Sequence, residues 1–221
     1  MSIRTRTREH TNEGQLSNLY FFLAIVPSVI LHEVSHGWVA NFFGDSTAKD
    51  NGRLTLNPLA HVDPFGTVLL PLMMVLAGLP AFGYAKPVPV NVSRLRNPRT
   101  QSLYVSLAGP LVNIILSGIG LGLCFLAVHD TQSQLMFNVG EYLGLANLVL
   151  AAFNLIPIPP LDGSAVIERF VPRKHLPRYY QMRARALPVV MVLVVADFLV
   201  FHVGTNALGS LENWWINLAF K

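Results

Sequence analysis

The residues with the clearest chemical potential are His32, Glu33 and His36, inside an apolar run over residues 18–43. Side chains four positions apart share one face of a helix, so the two imidazoles can point at one spot. Two nitrogens at this spacing suit a tetrahedral zinc ion, and Glu33 can reach a water molecule that zinc activates without binding the metal. The spacing predicts a zinc site with a general base. The alternative is a buried cluster of polar side chains, a polar knot, that packs one helix against another and uses the same residue types.

The composition is that of an integral membrane protein. Of the 221 residues, 52% are hydrophobic and 13% are charged, whereas soluble domains carry about 25% charged residues. The net charge of +4 fits basic cytoplasmic loops, and we expect no nucleic-acid binding. Ionisable residues inside a membrane segment are costly and usually functional, which favours the metal site over a polar knot.

The apolar runs predict an all-α membrane protein, a polytopic helical bundle of about four to six apolar segments. Residues 1–17 are polar and are expected to form a loose N-terminal tail. Residues 18–221 are expected to form a single transmembrane domain, with its core at about 20–170. After the first run, the apolar runs cover residues 66–82, 103–128, 135–156, 187–201 and 208–220.

A second chemically promising segment follows the apolar run over residues 135–156, where three prolines occur within four positions, Pro157 to Pro160. Prolines unwind a helix, and unwound backbone at membrane depth is tolerated where it is packed in protein or lines a watery cavity. This segment presents Asp162, which we interpret as the third zinc ligand, leaving one coordination position for water. The alternative is that Asp162 only caps the helix that follows.

His61 lies between two prolines in the polar connection over residues 45–64. It could be a third zinc ligand or line the site, or it could be a loop histidine bonded to backbone. We favour the loop or lining role.

The run over residues 66–82 is shorter than the ~20 residues of a full span. It either crosses the membrane or dips in and returns as a re-entrant segment. Both arrangements leave most Lys and Arg residues on the inner face, so charge does not decide. We favour the dip because it brings Asp162 to the same membrane face as His32 and His36. In residues 83–91, proline and valine alternate over residues 87–90, which indicates extended chain or an edge strand, and with it a short β-hairpin.

Three motifs together resemble the site-2 protease family of intramembrane zinc metalloproteases, in a compact bacterial branch without a PDZ or CBS domain. They are the pentad from His32 to His36, the pair Gly109-Pro110 that opens a later span, and the stretch from Asn154 to Gly163. The resemblance implies that His32, His36 and Asp162 bind zinc and that Glu33 is catalytic. It also implies that Asn154 helps to hold the substrate or the developing oxyanion.

The resemblance implies hydrolysis of a peptide bond in or near a transmembrane helix of a membrane-protein substrate, with one zinc ion per chain. The expected location is the cell membrane, as a multi-pass protein of the bacterial plasma membrane, with the lipid bilayer and the substrate as partners. The oligomeric state is not predicted. An extended segment can pair with an unwound substrate, and the substrate-binding candidates are Asn57, His61, Pro87, Val88, Pro89, Val90 and Asn91.

Two other functions remain open. A non-catalytic zinc-binding membrane scaffold or chaperone would not need a base, so Glu33 argues against it. A metal transporter would want acids and histidines along a path, whereas this sequence concentrates them at one site.

Overall fold

The structure is a computed structural model that describes residues 3–76, 83–197 and 203–220. These residues contain no β-strand, which confirms the all-α prediction. The helices of the described residues are α1 (Ile3–Phe42), α2 (Thr47–Asp50), α3 (Leu70–Leu76), α4 (Pro98–Leu126), α5 (Gln134–Asn154), α6 (Ser164–Phe170), α7 (Leu176–Arg185), α8 (Leu187–Ala196) and α9 (Val203–Ala219).

Among the described residues, three helical stretches are long and apolar enough to cross a membrane: Leu19–Phe42, Pro98–Thr131 and Gln134–Asn154. Helices satisfy all of their own backbone hydrogen bonds, which is what a segment in lipid requires. Helix α1 begins at Ile3, within the predicted tail. The expectation of a separate N-terminal tail over residues 1–17 stays a prediction. Residues 77–82 and 198–201, which complete two of the predicted apolar runs, lie outside the described part of the chain.

The chain divides into two compact units. The first unit comprises Met1–Ser28, Asn113–Phe153 and Arg185–Lys221, and the second comprises Val29–Val112 and Asn154–Ala184. Every site residue predicted from the sequence belongs to the second unit. Helices α1 and α4 each contribute residues to both units, and the expectation of a single domain stays a prediction.

Small residues bring α4 and α5 together in the first unit. A Cβ added to Gly120 would lie 2.5 Å from the Cα of Gly144, so only glycine allows this backbone approach. Trp215 of α9 packs on Gly144 and is 3% exposed, whereas Trp214 is 57% exposed. Of the two tryptophans, only Trp214 has the exposure expected of an interfacial anchor.

A buried polar network links three helices of the first unit. The Asn147 amide of α5 donates to Ser28 Oγ of α1 at 2.7 Å and to its own helix at Leu143 O. The Asn113 amide of α4 donates to Asn147 Oδ1 at 2.7 Å. Asn113 and Asn147 have no exposed surface. In an apolar environment such groups must bond to one another, so the network specifies how the three helices align.

The segment that follows Pro64 returns to its starting point. The N–H of Tyr84 donates to Gly66 O at 3.0 Å, and Thr67 Oγ1 donates to Tyr84 O at 2.9 Å. Further along, the N–H of Arg96 donates to Phe43 O at the carboxyl end of α1. A full crossing of ~30 Å would separate such ends. These contacts support the re-entrant alternative for residues 66–82.

Residues 83–91 form neither a strand nor a hairpin, so the prediction of a short β-hairpin is wrong for the described residues. Pro87 and Pro89 have no N–H to donate to a ladder. The N–H groups of Val88 and Asn91 donate instead to the carboxylates of Glu33 and Asp45. Side chains thus take the place that a neighbouring strand would occupy.

We expect Asn147→Ala to destabilise the protein by about 1–2 kcal/mol, because it removes the hydrogen bonds through which one buried amide links α1, α4 and α5. Denaturant or thermal unfolding in detergent measures this loss. Asn206→Ala, at an exposed position of α9, is the matched control and should leave stability within about 0.5 kcal/mol of the wild type.

We expect cysteines at Lys49 and Arg96 to be labelled from the same membrane face, in a chain whose single native cysteine, Cys124, is replaced by alanine. Both positions are exposed; Lys49 follows the end of α1 directly, and the N–H of Arg96 donates to Phe43 O at that same end. An impermeant maleimide in sealed vesicles of either orientation gives the measurement. A cysteine at Asp130, beyond one span, should react in the opposite orientation. Labelling of Lys49 and Arg96 from opposite faces would reject the re-entrant segment.

Candidate metal centre

Helix α1 places His32 and His36 side by side. Their Nε2 atoms lie 3.2 Å apart, and the two residues are 7% and 9% exposed. His36 Nδ1 lies 2.7 Å from the carbonyl oxygen of Val105 in α4. Since a carbonyl only accepts, Nδ1 carries a proton, and in the neutral imidazole Nε2 is then the nitrogen with the lone pair that a metal would take. A backbone carbonyl in this position is how proteins commonly orient a metal-binding histidine.

Asp162 completes the cluster from the irregular chain between α5 and α6. Its Oδ2 atom lies 3.1 Å from His32 Nε2 and 3.4 Å from His36 Nε2. Among the described residues, these three side chains form the only cluster of His, Cys, Asp or Glu that could hold a metal, with ligand atoms within 4.8 Å of one another. The three side chains that the sequence predicted to converge thus lie together.

The donor set fits zinc. Asp162 Oδ2 is buried without a hydrogen-bond partner of good geometry, although two imidazole nitrogens face it. Burial raises the pKa of the Asp162 carboxyl, but the adjacent imidazoles outweigh burial and hold this pKa below its usual value. An ionised carboxylate and two imidazole nitrogens are a three-ligand set that zinc enzymes use, with a fourth position left for water or substrate.

Gly109 of α4 is the position at which a neighbouring backbone meets the histidines. A Cβ added there would lie 2.5 Å from His36 Nε2, 2.5 Å from His32 Cε1 and 2.6 Å from His32 Nε2. Any side chain at this position would therefore displace the imidazoles. The adjacent Pro110 is fully buried within α4. In the sequence, the motif Gly109-Pro110 was only one part of a family resemblance. The close approach of α4 to the histidine pair gives the glycine a steric reason.

Several contacts fix the segment that carries Asp162. The N–H of Gly163 donates to Asn154 O at 2.7 Å, which closes the irregular loop on the end of α5. A Cβ at Gly163 would lie 2.2 Å from Leu155 O, so the closure requires glycine. Tyr179 Oη of α7 donates to Ser164 O at 2.9 Å, two residues after Asp162. Asp162 is thus held from both sides.

A second tyrosine of α7 holds the other end of α6. Tyr180 Oη donates to Glu168 Oε1 at 2.7 Å, and Arg183 Nη1 pairs with Glu168 Oε2 at 3.4 Å. Burial and the Glu168 carboxylate raise the pKa of Tyr180 above its usual value, so this hydroxyl remains a donor. Sequence analysis missed these supports, because nothing in the spacing of α7 indicates which carbonyl or carboxylate its tyrosines contact.

Glu33 is half-buried and lies next to the first histidine of the cluster. Its Oε2 atom accepts a hydrogen bond of 2.9 Å from the N–H of Val88. The predicted base, Glu33, is thus in direct contact with the segment Pro87–Asn91. Charged hydrogen bonds of this kind are shorter and stronger than neutral ones, so they restrict the carboxylate effectively.

The other sequence-predicted site residues have local partners. Asn154 ends α5, half-buried. Asn57 is exposed and caps a turn by accepting from the N–H of Leu59. His61 is 3% exposed, and its Nε2 donates to Thr55 O at 2.9 Å, which agrees with the favoured role as a loop histidine. Roles of Asn57, His61 and Asn154 toward a substrate stay predictions.

We expect Gly109→Ala to lower the zinc content of the purified protein, because the added methyl would occupy the space of the two imidazoles. Metal analysis of protein purified in detergent measures the loss. Gly118→Ala on the same helix is the control, since nothing lies within 4 Å of a Cβ at that position. It should retain zinc and gain up to about 1 kcal/mol from helix propensity. Full zinc occupancy in Gly109→Ala would contradict the assignment.

Comparison with known proteins shows similarity to metallopeptidases. The model of peptidase family M50 matches residues 20–139 and 126–196. The candidate zinc metalloprotease YwhC of Bacillus subtilis (strain 168) is 41% identical over 185 residues, which are 80% of each chain. The candidate zinc metalloprotease Rip2 of Mycobacterium tuberculosis (strain H37Rv) is 31% identical over 195 residues, 87% of this chain and 68% of Rip2.

A more distant relative is zinc metalloprotease MJ0392 of Methanocaldococcus jannaschii, 29% identical over 159 residues, 70% of this chain and 35% of MJ0392. No solved structure matches. With the family model covering most of the sequence and YwhC aligned over four-fifths of each chain, this protein belongs to peptidase family M50, the zinc metalloproteases of the site-2 protease type.

Proposed function

We propose that this metalloprotease hydrolyses a peptide bond in or near a transmembrane helix of another membrane protein, in the bacterial plasma membrane and with one zinc ion per chain. The observation that carries the proposal is the convergence of His32, His36 and Asp162 beside Glu33, in a chain whose described residues include three candidate membrane spans. The two histidines lie inside one of those spans, Leu19–Phe42. A hydrolytic site at that position is suited to substrates that are themselves in the membrane.

The residues of the chain divide the chemistry among them. When bound, zinc supplies Lewis-acid activation of water and of the scissile carbonyl. His32, His36 and Asp162 are the residues that would hold it. The Glu33 carboxylate accepts a proton from the attacking water and returns it to the leaving amine. Asn154 is the proposed donor to the oxyanion that develops on the carbonyl.

A substrate helix must unwind before it reacts, because its amides are hidden in intrahelical hydrogen bonds. The segment Pro87–Asn91 is our candidate for holding the unwound substrate. Of its three N–H groups, those of Val88 and Asn91 already donate to Glu33 and Asp45. A substrate strand would therefore pair through Val90, the remaining donor.

We expect Glu33→Gln to keep zinc and to lose about 10²–10⁴-fold in cleavage rate, because it removes the general base. Asp162→Ala should lose both zinc and cleavage. The measurement uses purified protein in liposomes with a tagged single-span helix that carries Asn-Pro at mid-span. A matched helix with Leu-Leu at mid-span should be cut more slowly, since it resists unwinding.

The same variants separate the alternatives. The proposed protease activity would be refuted if Glu33→Gln cleaved at the wild-type rate, or if no zinc-loaded form cleaved. A scaffold would be indifferent to Glu33→Gln, and a transporter would carry metal in both forms. Comparing membrane proteomes of cells that express wild type or Glu33→Gln would then identify substrates, as membrane proteins that accumulate uncut in the variant.

A further inference from the structure

Arg53 is a buried cation for which the proposed chemistry has no use. It is 8% exposed, and its Nη2 atom donates to Lys86 O at 2.7 Å and lies 3.4 Å from Pro87 O. None of the ion pairs among the described residues involves Arg53. A buried guanidinium without a carboxylate partner is costly, so its contacts with these two carbonyls must offset a large desolvation penalty.

One peptide unit joins Arg53 to the proposed base. The carbonyl of Pro87 faces Arg53, and the N–H of the same peptide, that of Val88, donates to Glu33 Oε2 at 2.9 Å. The peptide is planar, so fixing its carbonyl fixes the direction of its N–H. A cation at the carbonyl also polarises the unit and strengthens the N–H as a donor.

The rest of the segment is held just as firmly. Asp45 is fully buried, and its carboxylate accepts from the N–H of Asn91 and from Thr47. The Val88 side chain is 7% exposed and packs against Gly37, where an added Cβ would lie 2.8 Å from Val88 Cγ1. The two prolines between these anchors each fix one backbone angle. The segment from Lys86 to Asn91 is a stiff strip with a charged anchor at each end.

We propose that Arg53 is a positioning residue that orients the Glu33 carboxylate through the Pro87–Val88 peptide, while Asp45 fixes the far end of the same strip. This inference rests on the proposed function, because it takes Glu33 to be the general base. With Oε2 held by Val88, the other carboxylate oxygen has a defined direction in which to accept a proton. Groups that act on a reacting proton need such support from the residues behind them.

Amide hydrogen exchange tests the structural half of the inference without any cleavage. The strip from Lys86 to Asn91 contains only four amides, because two of its residues are proline. In Arg53→Gln we expect faster exchange of the Val88 amide, since its peptide loses the anchor at the carbonyl. Arg178→Gln, at an exposed arginine of α7, is the matched control and should exchange like the wild type. Unchanged exchange of Val88 in Arg53→Gln would overturn the proposal.

Kinetics test the functional half. Arg53→Gln should lower kcat about 10–100-fold, the usual effect of removing a supporting contact, with less than about a threefold change in KM. Zinc content and melting temperature should stay at the wild-type values. Arg53→Lys should fall between the two, because it keeps the charge but not the planar fork.

The outcomes are distinct. Loss of zinc or of thermal stability in proportion to activity would reduce Arg53 to a general structural role and overturn the proposal, as would wild-type kcat in Arg53→Gln. Failure of the proposed function has another signature: zinc-loaded wild type does not cleave, or Glu33→Gln cleaves as well as the wild type. In that case the exchange of the Val88 amide still decides whether Arg53 holds the contact with Glu33.

Discussion

The mutual approach of three electron-rich atoms in a buried place is the constraint on which the second unit depends. His32 Nε2, His36 Nε2 and Asp162 Oδ2 would repel one another without a cation or a proton among them. Each is held in place by something else. The spacing along α1 fixes the two histidines, the Val105 carbonyl orients one ring, and a glycine lets α4 come close enough to provide that carbonyl. The loop closed at Gly163 presents the carboxylate.

In the first unit, the question is what holds membrane helices together. Helices in lipid gain little from burying apolar side chains against one another, so association depends on close packing and on polar pairs. Gly120 and Gly144 supply the packing, and the network of Ser28, Asn113 and Asn147 supplies the pairs. Helices α1 and α4 run on from this unit into the other, so they carry residues of both.

Sequence reasoning predicted that His32, His36 and Asp162 converge, and it missed much of what holds them in place, for physical reasons. The pentad from His32 to His36 is readable because a helix turn fixes its geometry locally, and the composition settles the helical membrane class. Arg53, Asp45 and Tyr179 act on groups 15 to 46 residues away, a relation that no local pattern encodes. The prediction of a hairpin was wrong because the prolines leave few N–H groups in this segment, and those of Val88 and Asn91 donate to the carboxylates of Glu33 and Asp45.

The long sequence interval between the candidate ligands orders events during synthesis. His32 and His36 leave the ribosome early, but Asp162 follows only after α4 and α5 have been made. Until then the nascent chain holds a histidine pair without its carboxylate, and the strip that contacts Glu33 has no finished site to serve. Any chemistry that needs all three side chains can therefore begin only after α4 and α5 have been synthesised.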